Sequence, residues 1–177
     1  HDGSVTVLCM GPPAGAAILL EALAMGADRA VLLFDPALAG SDTLATSTAL
    51  CAGVQYLAPF DLLLFGTRST DSDTGQVGLQ TAVLLDIPML TGVVAITCGH
   101  SHHTLTREMD GFRDIYEVCG PAALSVCPDM ARPREPSLAG LATAFDEMPV
   151  ETLSVSDVGL VPAQVGQAGS PTRVLAM

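Results

Sequence analysis

Lysine is missing from this 177-residue chain: its seven basic residues are all arginine, set against 19 acidic ones. The resulting net charge of −12 repels a nucleic-acid backbone and an anionic membrane surface, so neither is expected as a partner. Long apolar runs are missing as well. With no stretch of about 18 apolar residues and no basic leader ending in small residues, neither membrane insertion nor a signal peptide is expected, and the chain reads as cytoplasmic. Tryptophan is absent and aromatics amount to 4%, so the 49% of hydrophobic residues must build their core from Ala, Leu and Val. The cysteines (Cys9, Cys51, Cys98, Cys119 and Cys127) are odd in number and form no C-x-x-C pair. That argues against a disulfide framework and predicts reduced, buried thiols. Also lacking are the G-x-x-x-x-G-K-[ST] and G-x-G-x-x-G signatures, which leaves ordinary P-loop and Rossmann readings without support.

What is present alternates between strand and helix. The apolar run "SVTVLCM" (4–10) predicts a strand, and "AGAAILLEALAMGA" (14–27) follows with Ile18, Leu19, Ala22, Leu23 and Met25 at helical spacing. "AVLLF" (30–34) and "DLLLF" (61–65) read as buried strands, with "GSDTLATSTALCAGV" (40–54) as a helix between them, capped by Ser41 or Asp42. A helix over "QVGLQTAVLLD" and a strand over "PMLTGVVAI" come next. Strands apolar on both faces, alternating with helices, predict an α/β domain with a mostly parallel sheet and helices on both faces. The pattern then changes, because "TLTREMDG" and "FRDIYEVC" alternate polar and apolar residues across a tight turn, as a short antiparallel ribbon does. "AALSVC" returns to a buried strand, the prolines of "PDMARPREP" (128–136) preclude a helix, and "SLAGLATAF" predicts one. Residues 1–127 are expected to form the core, with 128–177 a loop and C-terminal wrap of the same domain.

Two polar stretches stand where a strand gives way to a helix. The first, "TDSDTGQVG" (70–78), fails as an EF-hand loop: counting from Asp71, the third position is Asp73 but the fifth, sixth and twelfth are Gly75, Gln76 and Ala82. It is either a polar turn or a ligand loop, and its place after a parallel strand is where open α/β sheets bind ligands. In the second, "GSDTLATST", the hydroxyls of Ser41, Thr43, Thr46, Ser47 and Thr48 crowd a helix start that can attract phosphate, unless Ser41 or Asp42 merely caps it. "CGHSHH" (98–103) offers Cys98, His100, His102 and His103, but in an expected hairpin turn and without a second cluster to complete a metal shell. No Ser/His/Asp or Cys/His motif supports hydrolysis.

The stretches "VLCMGPPAGAAILLEALAMGADRAVLLFD", "GSDTLATSTAL", "DSDTGQVG", "REPSLAGL" and "GSPTRV" together resemble the β subunit of electron transfer flavoproteins, in that family's order over nearly the whole chain. The resemblance implies an adenine-nucleotide α-hydrolase-like fold and a non-catalytic electron-carrier subunit. Its partners would be an FAD-bearing α-like subunit and a redox protein such as a flavin dehydrogenase. It implies FAD as the bound cofactor, with AMP as the alternative. Carried onto this chain, it puts Asp71, Ser72, Asp73, Thr74, Gln76 and Val77 around the adenosine and first phosphate, and Cys9, Met10 and Gly11 on the adenine side. Thr43, Thr46 and Ser47 would then suit a second phosphate. Leu138, in "REPSLAGL", falls in the family's partner-recognition loop, where a Pro-bounded apolar knob can dominate an interface. The rival readings are an adenine-nucleotide-dependent hydrolase or transferase of related fold, and a structural paralogue without nucleotide. The family's opening strand and helix and its C-terminal arm are not found, so the chain reads as a fragment or a divergent paralogue. Arg68 stands where the family usually has glutamine.

Overall fold

A computed structural model describes residues 3–70 and 72–172. The chain is α/β, its strands dealt into two sheets, and it forms two compact units: residues 1–56 with 133–177, and residues 57–132.

The first unit carries a three-stranded, all-parallel sheet in the order β1 (Thr6–Met10), β2 (Arg29–Leu33), β8 (Glu151–Leu153). β2 lies in the middle, which is why Ala30, Val31, Leu32 and Leu33 are all buried and apolar. Successive strand residues point to opposite faces. Leu32 packs with Leu19 and Leu23 of α1 (Gly15–Ala24) and Ala144 of α4 (Leu138–Glu147). Leu33, on the other face, approaches Gly53 of α2 (Thr43–Leu57), as does Leu8 of β1. Helices therefore cover both faces of this sheet. The strand β8 is not evident in the sequence, and the Arg29 guanidinium donates from Nε (3.1 Å) and Nη2 (2.5 Å) to Glu151 Oε2 beside its pairing with β2. The rest of the tail forms a 3-10 turn at Pro162–Gln164 and a single helical turn, α5 (Gly166–Gly169).

The second unit holds a five-stranded mixed sheet, ordered β3 (Leu62–Gly66), β7 (Ala122–Val126), β4 (Met89–Cys98), β5 (His103–Met109), β6 (Phe112–Val118). β3, β7 and β4 are parallel, and β4, β5 and β6 form the antiparallel ribbon. β4 serves both, pairing with β7 up to Val93 and with β5 from there on, with irregular register at the change. The turn Asp110–Gly111 joins β5 to β6 with both residues at positive φ (52° and 80°), the backbone a two-residue hairpin needs. Central β7 buries Ala122, Ala123, Leu124 and Ser125, and Leu124 forms the core with Val93 and Leu105. β3 is an edge strand, so its run of leucines is less buried than its composition predicts, and Leu64 is 52% exposed. α3 (Val77–Leu84) lies so close to β3 that a Cβ on Gly78 would stand 2.9 Å from Phe65 Cγ.

Candidate functional site

β3, β7 and β4 run the same way, so their carboxyl ends open on one side of their sheet, the side on which α/β folds bind ligands. A cleft of about 220 Å³ lies there. Its polar lining comes from Thr67, Arg68, Thr74, Gln76, Thr91 and Ser125, and Val77 and Phe65 supply apolar wall. A neighbouring cavity of about 310 Å³ shares Gly66, Thr67 and Arg68 and is otherwise apolar, with Val126, Cys127 and Met130. The connecting loop is drawn into a tight turn: the Asp73 N–H donates to the Ser69 carbonyl (3.1 Å), Ser69 and Ser72 hydroxyls meet at 2.9 Å, and Asp73 and Gly75 take φ of 49° and 61°. Arg68 Nη1 reaches Asp73 Oδ2 at 3.4 Å, with both side chains about two-thirds exposed (67% and 68%). A pair so open to water adds little stability. At the start of α3 no side chain caps the helix from Gln76.

Of the residues singled out in this stretch, Thr74, Gln76 and Val77 line the cleft, whereas Ser72 and Asp73 sit on the exposed loop beside it. Asp71 lies outside the described residues. The remaining candidates belong to the other unit. Met10 closes β1 at its carboxyl end, and the Gly11 N–H donates to the Leu33 carbonyl (3.2 Å). Cys9 is half-buried against the core beneath α1, and burial pushes its thiol up, which keeps it protonated. It offers wall rather than nucleophile.

The start of α2 is already furnished by the protein itself. Asp42 Oδ1 accepts from the N–H groups of Leu44 (3.0 Å) and Ala45 (2.9 Å), the N-cap geometry, and its Oδ2 accepts from the Thr172 N–H (2.9 Å). The Asp42 N–H in turn donates to Ser170 Oγ (2.8 Å), and the Gly166 N–H to Ser41 Oγ (3.0 Å). Partial burial acts to raise the Asp42 carboxyl, but the donors of Ala45, Thr172 and Leu44 together hold it below the usual carboxylate range. Ser47 is fully buried and donates to the Thr43 carbonyl (2.7 Å), so its hydroxyl serves the helix. Thr43 and Thr46 remain half-buried.

Leu138 opens α4, whose N-cap Ser137 accepts from the Gly140 N–H (3.0 Å), and at 88% exposed it is no core residue. Cys98 to His103 form the expected hairpin between β4 and β5, and no group of three or more potential metal-binding side chains gathers among the described residues. The expectation of buried thiols is corrected: Cys51 is buried, but Cys98 and Cys119 are exposed because each sits at the rim where a strand ends. Sequence reasoning also passed over Thr91 and Ser125, whose only signal is their position on β4 and β7, Thr67, which directly follows β3, and the clasp of Ser170 and Thr172 on Asp42.

Residues 1–158 match the family model described as the electron transfer flavoprotein domain. The chain is 38% identical to an electron transfer flavoprotein subunit beta of Thermoanaerobacterium thermosaccharolyticum, over 98% of this chain and 66% of the relative. It is 39% identical to the caffeyl-CoA reductase-Etf complex subunit CarD of Acetobacterium woodii, over 96% of this chain and 64% of the relative. With an electron transfer flavoprotein subunit beta of Mycobacterium bovis it shares 34% identity over 99% of this chain and 65% of the relative. The chain thus spans about two thirds of the length of the curated relatives it matches. A family model covering most of the chain and relatives above 30% identity along nearly all of it show that this chain belongs to the electron transfer flavoprotein β-subunit family.

Proposed function

We propose that this chain is a cytoplasmic electron-carrier subunit that holds the adenosine phosphate portion of FAD, or AMP in its place, in the cleft beyond β3, beside an FAD-bearing α-type subunit. The observation that carries the reading is the cleft itself, open beyond the carboxyl ends of the parallel strands β3 and β7, with Met89 and Thr91 of neighbouring β4, and lined by Thr74, Gln76 and Val77. The donor set fits such a ligand: hydroxyls and turn amides can bond ribose and phosphate oxygens, and the Gln76 amide can pair with an adenine edge. Ser72 and Asp73, on the exposed loop beside the cleft, would close around it.

A bound flavin would supply the redox chemistry, while the protein supplies orientation, electrostatics and exclusion of water. Leu138 would serve as the apolar knob against a redox partner of the flavin dehydrogenase kind, a role that its exposure permits. The test is to purify the protein with its α-type partner, release its small molecules with acid and identify them by absorbance and mass. FAD is expected, and AMP in addition to the partner's flavin selects the alternative. A complex that carries no nucleotide attributable to this subunit overturns the reading.

A further inference from the structure

We propose that Arg68 makes the cleft beyond β3 selective for a phosphorylated ligand, and that Asp73 is the anion Arg68 holds until the ligand's phosphate replaces it. The inference rests on the nucleotide reading above and names the group that reads the ligand's charge. Among the described residues Arg68 is the one charged side chain lining either of the two adjoining cavities, and it lines both. The other described polar lining residues are neutral, and neutral donors such as Thr74 and Gln76 bond adenosine and its phosphates without distinguishing them by charge. In a chain of net charge −12, an incoming phosphate meets a repulsive background, so a local cation is required to hold it.

The present partner of Arg68 is easily exchanged. Asp73 contacts it through one atom pair at 3.4 Å, far short of the two parallel hydrogen bonds a guanidinium can make, and both side chains stand largely in water. A phosphate presents several oxygens in the fork geometry that Arg favours and carries more charge than a carboxylate. Asp73 is held in place by its own turn, through its N–H bond to Ser69, so releasing its carboxylate need not disturb the loop.

Calorimetric titration of the full chain with AMP and with adenosine tests this, using Arg68→Gln and Asp73→Asn. Asparagine tolerates the positive φ of position 73, so the second variant keeps the turn. Arg68→Gln should weaken AMP by about tenfold to a hundredfold, the loss of one charge-assisted contact, while adenosine stays within about twofold. Asp73→Asn should tighten AMP by about twofold to fivefold, the release of a weak exposed pair, with adenosine unchanged. Equal weakening of AMP and adenosine in Arg68→Gln would make Arg68 a structural part of the loop and overturn the proposal, as would unchanged AMP affinity. Weaker AMP binding in Asp73→Asn would make Asp73 a ligand contact and overturn the exchange. Parent protein that binds neither AMP nor adenosine refutes the nucleotide reading itself.

Discussion

The starts of α2 and α3 are written in the same alphabet and do opposite things. Each follows a parallel strand, and each is preceded by a stretch of Ser, Thr, Asp and Gly. Before α2 that chemistry is consumed internally: Asp42 caps two N–H groups, and Ser41 and Asp42 bind Gly166, Ser170 and Thr172 of the tail. Before α3 the N-cap residue Gln76 makes no side-chain cap, the described loop residues Ser72 to Thr74 stay exposed, and a cleft lies beside them. A hydroxyl-rich helix start can thus be filled by a distant segment of the same chain, as the tail fills the start of α2. The lesson is about who supplies the second partner, and local composition does not contain that information.

Disturbing the clasp should hurt most where the backbones are closest. A Cβ at Gly166 would overlap the carbonyl oxygen of Ala37, at a φ of 61° that L side chains resist. Gly166→Ala is expected to cost about 3 kcal/mol or more, lowering the melting temperature by about 6 °C or more for a chain of this size. A melt within a degree of the parent would show that the tail does not seal α2, and the contrast between the two helix starts would fail.

Asp42→Ala removes a cap and a tether together and should cost about 1–2 kcal/mol, seen as a drop of roughly 2–8 °C. The pH dependence sharpens it. Because the folded carboxyl is held below its ordinary value of about 3.9, its contribution is complete above that pH and is lost as the pH falls through the folded value. Melting curves of parent and variant should therefore converge in acid and stay apart at neutral pH, and a constant gap would assign the loss to packing instead.

On the open side, Gln76→Ala should leave melting unchanged while weakening AMP by about threefold to tenfold, the worth of a single neutral hydrogen bond. Loss of stability instead would make that loop as structural as the one before α2. Leu138→Ala should likewise barely move melting, within about 0.5 kcal/mol because the side chain is exposed. Electron transfer with the redox partner should nonetheless fall, and unchanged rates would remove Leu138 from the docking surface.

Local pattern made much of this legible. The all-apolar "AVLLF" gives β2, helical spacing gives α1 and α2, and the alternation around Asp110–Gly111 gives the ribbon. The loop after a parallel strand was legible, and Thr74, Gln76 and Val77 of that loop and the helix it opens line the cleft. What escaped depends on distant pairing. β8 is three residues long and exists because it finds β2 more than a hundred residues earlier, and Ser170 accepts the Asp42 N–H from more than a hundred residues away. The edge position of β3 is set by the order of strands, which no run of leucines can announce.

That β2–β8 pairing also fixes an order of events during synthesis. Residues 57–132 are contiguous and can close their own contacts as soon as they have emerged. Residues 1–56 must wait for β8 and the tail, since the last strand of their sheet and the groups that bind Asp42 lie beyond residue 150. Closing so long a loop on unstructured chain is slow and entropically costly, and a folded middle segment shortens the effective distance. A chain ending before Glu151 would leave the edge of β2 that β8 covers unpaired, a template for other strands.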